Sequence, residues 1–325
     1  MWKTRSPARP KRQKSKQMID LAIIIVSWNV RRLLKGCLTS VYQSLADSER
    51  VGTGLKTAVW VVDNCSADGT PEMVLERFPQ VRLMANRENK GFAAGNNQAL
   101  ESALKEGPCY LMLLNPDTVV RGRALETLAR FLDSSPSAGL AGARLVFGNG
   151  SFQHSGFGFP GLAQIAIDLF PLPARLHESK LNGRYPRKLY AADAPPFSID
   201  HPLGASMMVR REVIEAVGMM DTSFYMYCEE IDWAMRTRAA GWEIYCVPAA
   251  EIVHYGGQST SQIQAQSFVN LWRSRRQLYR KHYSPAQVRL ASWLVRLGMK
   301  VKAQRTDSAA LQAACQEAAT IWSEN

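Results

Sequence analysis

The chain has 325 residues, 46% of them hydrophobic, which is enough apolar material for one large domain plus an appendage and excludes global disorder. Its net charge is +12, but residues 1–17 hold seven Lys or Arg and residues 252–306 hold ten, with no acid in either stretch; the remaining 23 Lys and Arg face 28 Asp and Glu, a net −5. No apolar run approaches the ~20 residues of a membrane-spanning helix; the basic start lacks the apolar segment of a secretory signal; and six dispersed cysteines without a CxxC argue against zinc and for reduced thiols in a cytoplasm.

Residues 1–18 read as a disordered basic arm, and residues 19–262 as the main domain. LAIIIVSWN (21–29) is a continuous apolar run, the pattern of a strand buried on both faces. Leu33, Leu34, Cys37, Leu38, Val41, Tyr42 and Leu45 follow at helical spacing. TAVWVVDN (57–64) is a second strand, after which Thr70 and Pro71 have the character of an N-cap and first helical residue. Then come a strand at 81–85, a helix at 92–106, a strand at 109–115, a helix at 121–134 and a strand at 138–146. This alternation predicts an α/β fold, a mainly parallel sheet with helices on both faces. Residues 148–203 are rich in Gly, Pro and aromatics and have weak periodicity; they are expected to make an excursion over the sheet that walls the acceptor side of an active site. Regular structure resumes with ASMMVRREVIEAVG (205–218), a helix at about 229–240 and EIYCVP (243–248).

Residues 263–325 predict a basic helical extension. Within 273–305, Leu290, Trp293, Leu294, Leu297 and Val301 share one helical face, and Arg289, Arg296 and Lys300 lie off it. Such a helix docks on the domain or on an anionic membrane surface. Nucleic acid is not expected as a partner, because no recognised motif accompanies the charge.

In sheets of this kind, ligands bind beyond the carboxyl ends of the strands. Three polar clusters stand there: Ser27-Trp28-Asn29, Asp63-Asn64 and Asn115-Pro116-Asp117. Asp63 could accept a hydrogen bond from a nucleobase imide or a ribose hydroxyl, or cap its own turn. Asp117 could hold a hard divalent cation that neutralises a leaving diphosphate, or serve NPDT as a turn residue. Glu229, Glu230 and Asp232 open a helix and exceed what a cap needs; the helix start favours an ionised carboxylate, the state a general base requires, although dipole complementarity alone also accounts for them. Asp232 and Arg236 form an i,i+4 structural pair. His254 is a candidate metal ligand or an ordinary buried histidine; His154, His177, His201 and His282 are read as structural. NKGFAAGNNQAL (89–100) offers close backbone approach at Gly91 and Gly95 and amides at Asn89, Asn96 and Asn97, or simply starts a helix. Its spacing is not GxGxxG, and no GxxxxGK[ST] occurs, so a dinucleotide fingerprint and a P-loop are both unsupported.

Taken together, IIIVSWN, VVDNCSADGT, NKGFAAGNNQAL, LLNPDT, GASMMVRREVIEAVGMMDTSFYMYCEEIDWAMRTRAAGW and VHYGGQST, in this order over residues 21–262, resemble glycosyltransferase family 2, the inverting enzymes of GT-A fold, and most of all its rhamnosyltransferase-like branch. The resemblance implies transfer of a sugar, rhamnose-type favoured, from a UDP- or dTDP-sugar to a hydroxyl of a glycan or lipid-linked glycan in cell-surface polysaccharide assembly. The work would be done in the cytoplasm or at the inner face of its membrane, with Mg2+ or Mn2+. It implies Glu230 as base, at a position where the family's Glu-Asp pair usually has Asp, with Glu229 beside it. Asp117 and His254 would be metal ligands. Asn115 stands where many members have a first Asp, so metal binding without the donor is expected to be weak. Asp63 would bind the base, and Gly204 and Ala205 would line the sugar pocket; Ser27, Asn29, Asn64, Asn89, Gly91, Asn96 and Asn115 complete the donor side. Two other readings compete. A sugar-1-phosphate nucleotidyltransferase would want a Gly-rich loop after the first strand, which SWNVRRLL lacks. A non-catalytic nucleotide-sugar-binding relative would not need the acidic cluster and His254.

Overall fold

The structure is a computed structural model and describes residues 19–256 and 263–324. The basic arm at 1–18 and the end of VHYGGQST, residues 257–260, lie outside the described residues, as does the domain boundary expected at 262.

Chain order begins β1 (Leu21–Ser27), α1 (Arg31–Arg50), β2 (Thr57–Asp63), α2 (Thr70–Arg77), β3 (Arg82–Ala85), α3 (Phe92–Leu104) and β4 (Tyr110–Leu114). It continues with β5 (Thr118–Val120), α4 (Ala124–Ser134) and β6 (Ala138–Val146). The excursion holds β7 (Phe152–Gln153), β8 (Gly156–Phe157), α5 (Leu162–Leu169), three 3-10 turns, β9 (Phe197–Ser198) and β10 (His201–Pro202). Then follow β11 (Ser206–Arg210), α6 (Arg211–Val217), α7 (Glu229–Ala239), β12 (Glu243–His254), α8 (Gln264–His282), α9 (Pro285–Gln304) and α10 (Ala309–Ile321). At the start of α2 the N-cap is Gly69 in a left-handed conformation, and Thr70 is already helical. Glycine takes that conformation without the Cβ penalty that threonine would carry.

The sheet order is β3-β2-β1-β4-β11-β6-β12-β5. From β3 to β4 all pairs are parallel, as the strand–helix alternation requires. The second half is mixed: β11 runs antiparallel between β4 and β6, and β12 is parallel to β6. The chain reaches β11 through the excursion rather than a crossover helix, so nothing constrains it to the parallel sense.

All seven residues of β1 are buried, and they alternate between two cores. Leu21, Ile23 and Ile25 pack with Leu34, Leu38 and Val41 of α1 and Leu128 of α4. Ala22, Ile24 and Val26 face Ala99 and Leu100 of α3 and Trp233 of α7. Each fully buried Leu or Ile contributes roughly 1.5–3 kcal/mol, so this central strand anchors the edge where the polar clusters emerge.

A third core joins α5 of the excursion to the C-terminal helices: Leu169 packs with Trp272, Val295, Met299 and Trp322. Leu278 of α8 packs with Phe224 and Cys228, ahead of α7. The extension is therefore braced against the segment that leads into the acidic cluster. Between α8 and α9 the helix is broken at Ser284-Pro285. Proline suits a first helical turn, and Ser284 and Gln287 form a reciprocal capping box. All six cysteines are free.

Candidate active site

Parallel pairing brings the ends of β2, β1 and β4 to one edge. Ser27 and Asp63 are direct partners in the ladder, and Ile24 pairs with Leu113 just ahead of Asn115. Both Ser27 and Asp63 are buried, and the Ser27 hydroxyl has no partner in the protein. Asp63 accepts one hydrogen bond, from the Ser66 amide at 2.9 Å, through Oδ2; its Oδ1 is buried without a partner. One oxygen thus caps the local turn, and the other, buried away from solvent, is left for a ligand donor. Asn29 adopts φ 51 and accepts from the Ala67 amide at 2.8 Å, which ties the β1 loop to the β2 loop.

Asn64 donates to the Gly91 carbonyl at 3.0 Å and accepts from Asn86 at 3.0 Å, and Asn96 donates to Phe92 O at 2.9 Å within α3. Both are buried, so they hold the loop with groups already engaged inside the protein. Asn89 accepts from the Gly91 amide at 3.0 Å. Gly91 has φ 83, and a Cβ there would run into the carbonyl oxygen and ring of Tyr225. Only glycine lets the segment ahead of α7 cross so close to the start of α3. The Asn97 amide clasps the same segment from α3, with bonds to both backbone groups of Met220.

Asn115 donates its backbone N–H to Ala205 O at 3.0 Å, which links the NPD turn to the stretch containing Gly204 and Ala205. Its side-chain Oδ1 is buried without a partner. Asp117 and His254, both buried, face each other with 3.5 Å between Oδ1 and Nε2. Antiparallel pairing of β5 with β12 produces this meeting, since Thr118 sits opposite His254. On the far side of the ring, Nδ1 lies 3.3 Å from Gln153 Oε1. In the tautomer that donates from Nδ1 to this oxygen, Nε2 keeps a lone pair toward Asp117, the form a metal ligand needs. Nε2 is buried and otherwise unpartnered. One imidazole nitrogen and one carboxylate oxygen suit a divalent cation that takes mixed ligands, such as Mn2+, better than the all-oxygen preference of Mg2+. Among the described residues no three His, Cys, Asp or Glu side chains gather into one potential metal site. Such a pair leaves most of a cation's coordination to be filled from elsewhere.

Glu229 and Glu230 open α7 immediately after Tyr227 and Cys228, which take φ 69 and φ 66. Two successive left-handed non-glycine residues cost of order 1–3 kcal/mol each and persist only where the surroundings enforce them. Here the enforcement comes from α8: the Ser274 hydroxyl donates to Met226 O at 2.7 Å, and Leu278 packs on Phe224 and Cys228. Glu230 lies alongside Gly204, whose missing Cβ would sit 3.7 Å from Glu230 Cγ. Burial pushes the Glu230 carboxyl up to about 7. Burial first, and then the charge of Glu230, hold Glu229 well above the ordinary carboxylate range. A charge on Glu230 therefore disfavours a second charge on Glu229. Asp232 is different. Burial works to raise it, but Lys281 at 2.8 Å, His282 at 2.7 Å and Arg236 at 2.9 Å together hold it below its ordinary value. The i,i+4 pair with Arg236 therefore belongs to a buried clamp between α7 and the end of α8.

The other histidines keep structural company: His154 contacts Glu178 at 3.1 Å, and His201 is stacked between Phe157 and Phe159. A cleft of about 600 Å³ opens beside Asn29 between the first turn of α1 and helix α2, where Arg31, Arg32, Lys35 and Arg77 outnumber Asp68 and Glu76. These cations were not singled out from the sequence, although two of them follow SWNV directly. Gln153 and the Lys281 and His282 arms of the Asp232 cluster were also missed, because their partners lie far away in the chain.

The Glycosyl transferase family 2 model matches residues 22–218. The chain is 26% identical over 220 residues to the N-acetylglucosaminyl-diphospho-decaprenol L-rhamnosyltransferase of Mycobacterium tuberculosis, covering 65% of this chain and 71% of that one. It is 24% identical over 185 residues to rhamnosyltransferase WbbL of Escherichia coli, covering 55% and 66%. In fold it is similar to the mannosyltransferase PcManGT of Pyrobaculum calidifontis, solved with GDP-Man and Mn2+, with a TM-score of 0.56 at 16% identity over 94% of this chain and 87% of that one. A family match across the parallel half-sheet, the NPD turn and β11, on a GT-A architecture, leaves one conclusion: the chain belongs to glycosyltransferase family 2, on its rhamnosyltransferase-like branch, and is a glycosyltransferase.

Proposed function

We propose that this enzyme moves a rhamnose-type sugar, with inversion, from a dTDP- or UDP-linked donor to a hydroxyl of a glycan or lipid-linked glycan in cell-surface polysaccharide assembly. The observation that carries the reading is the place of Glu230 at the start of α7 alongside Gly204, where burial pushes its carboxyl up to about 7. A general base works best when its pKa lies close to the operating pH. In its ionised form Glu230 takes the proton of the acceptor hydroxyl as that oxygen attacks the anomeric carbon. The carbon–oxygen bond to the nucleoside diphosphate breaks on the opposite face, so the configuration inverts. Glu229, neutral beside it, can donate a hydrogen bond without competing for the proton. Asp63 receives the base or ribose through its unpartnered Oδ1. Asp117 and the Nε2 lone pair of His254 would hold a divalent cation, which supplies charge neutralisation for the departing diphosphate. The rhamnosyltransferase names of relatives support the sugar class, and the diphospho-decaprenol named for the M. tuberculosis relative supports a lipid-linked acceptor.

The test is a panel of dTDP-rhamnose, UDP-glucose and GDP-mannose, each with Mn2+, read as thermal stabilisation and as donor turnover. The dTDP-sugar should give the largest shift in melting temperature, and Asp63→Ala should lose most of it. Equal shifts from all three, or a shift unaffected by Asp63→Ala, would overturn the donor assignment.

A further inference from the structure

Helix α9 carries apolar side chains on two sides. The side that packs on the body presents Ala291, Val295, Gly298 and Met299, all buried. A Cβ on Gly298 would come within 2.6 Å of the Leu169 side chain, so α9 lies directly on α5. Three large apolar residues point the other way: Leu290, Trp293 and Leu297 are 47%, 52% and 40% exposed. These account for three of the ten large hydrophobics exposed among the described residues, all on one helix. At 3.6 residues per turn they fall within an arc of about 60°, and Arg289, Arg296 and Lys300, also exposed, fill the adjoining arc. None of the ion pairs among the described residues involves these three cations, and no acid occurs between residues 252 and 306 to supply one. A helix that needed only to fold would bury its large apolar side chains and leave small ones outside.

We propose that this face of α9 docks the enzyme on an anionic phospholipid bilayer, with Leu290, Trp293 and Leu297 entering the headgroup boundary and Arg289, Arg296 and Lys300 meeting the lipid phosphates. Charge complementarity selects the occupant: an unbroken cationic arc beside an apolar one matches a negatively charged interface that is apolar a few ångströms down, and tryptophan suits that depth. No helix among the described residues is long and apolar enough to cross a membrane, so the contact is peripheral. It also has a consequence for the cleft. Helix α8 leads straight into α9, and its Leu278, Lys281 and His282 hold the segment that carries Glu229 and Glu230. A docked α9 therefore fixes how the cleft is presented to the lipid surface.

The experiment is flotation of the full chain with vesicles of mixed phosphatidylglycerol and phosphatidylcholine, and with phosphatidylcholine alone. Wild type should float with the anionic vesicles and not with the neutral ones. The triple change Leu290→Ser, Trp293→Ser, Leu297→Ser should abolish flotation. Exchange of Arg289, Arg296 and Lys300 for Gln should reduce partitioning on the order of a hundredfold, since each cation near an anionic surface contributes somewhat less than one decade. Three results would overturn the proposal. They are no flotation of wild type, binding unchanged in both variants (which would assign it to residues 1–17 or elsewhere), and a wild-type dimer that the triple Ser change dissociates without any vesicle binding. These residues lie away from the cleft, so donor-dependent thermal stabilisation should be the same in wild type and variants. The docking result thus stands or falls apart from the proposed reaction.

Discussion

If Glu230 is the base, the pH dependence of the reaction and that of stability move in opposite directions. The carboxyl sits at about 7 instead of 4.5 because burial disfavours its charge, a difference of about 3 kcal/mol between the two protonation states. For catalysis the ionised form is required. With saturating metal, kcat/KM should rise with pH along a single ionisation, with about one tenth of the limiting value at pH 6 and a plateau above 8. For stability the sign reverses. The folded state holds its proton more tightly than the unfolded chain, so stability is greatest below about 4.5 and is lost as pH rises through about 7. Glu230→Gln cannot ionise and has similar volume. It should lower kcat by a factor of 10²–10⁴ while leaving donor binding intact. It should also be the more stable protein at pH 8, by up to about 3 kcal/mol in urea denaturation, with the advantage fading toward pH 4.5. Glu229→Gln removes a carboxyl whose ionisation burial and Glu230 both oppose, so it should keep the inflection near 7. A rate profile flat from pH 5.5 to 8, or the same inflection persisting in the residual activity of Glu230→Gln, would refute the assignment.

Removing the amide that orients His254, by Gln153→Ala, should raise the Mn2+ needed for half-maximal donor stabilisation about tenfold; an unchanged requirement would mean that the His254 tautomer is set otherwise. Asp232→Asn takes the carboxylate from His282 and Arg236 and leaves Lys281 with Asp221 alone; it should cost about 3 kcal/mol in urea denaturation, with kcat falling more than KM rises. The wild-type contribution of Asp232 is present above its ordinary value of 3.8 and is lost as pH falls below it, so the two proteins should converge in strong acid. Gly91→Ala forces a side chain into a left-handed position against Tyr225 and should lower stability by about 1–3 kcal/mol in a thermal scan; an unshifted melting temperature would show that the crossing of these segments is not tight.

What could be read from the amino-acid order was whatever depends on neighbours in the chain. Strands β1, β2 and β4 announce themselves as apolar runs, the helices between them by their spacing, and the parallel half of the sheet by the alternation. Since parallel strands end at one edge, Ser27, Asp63 and Asn115–Asp117 could be gathered into one site before any contact was known. Tertiary structure alone decided what depends on distant pairing. Strand β11 entered the sheet antiparallel, because no local pattern states the direction of a strand reached through a long excursion. Gln153 met the far side of the His254 ring from 101 positions away, and His282 closed on Asp232 from 50. Periodicity could find the apolar face of α9 but not its orientation. Which face of a helix is covered depends on the surface it meets, and here α5, through Gly298, admits the small side and leaves Trp293 to the solvent.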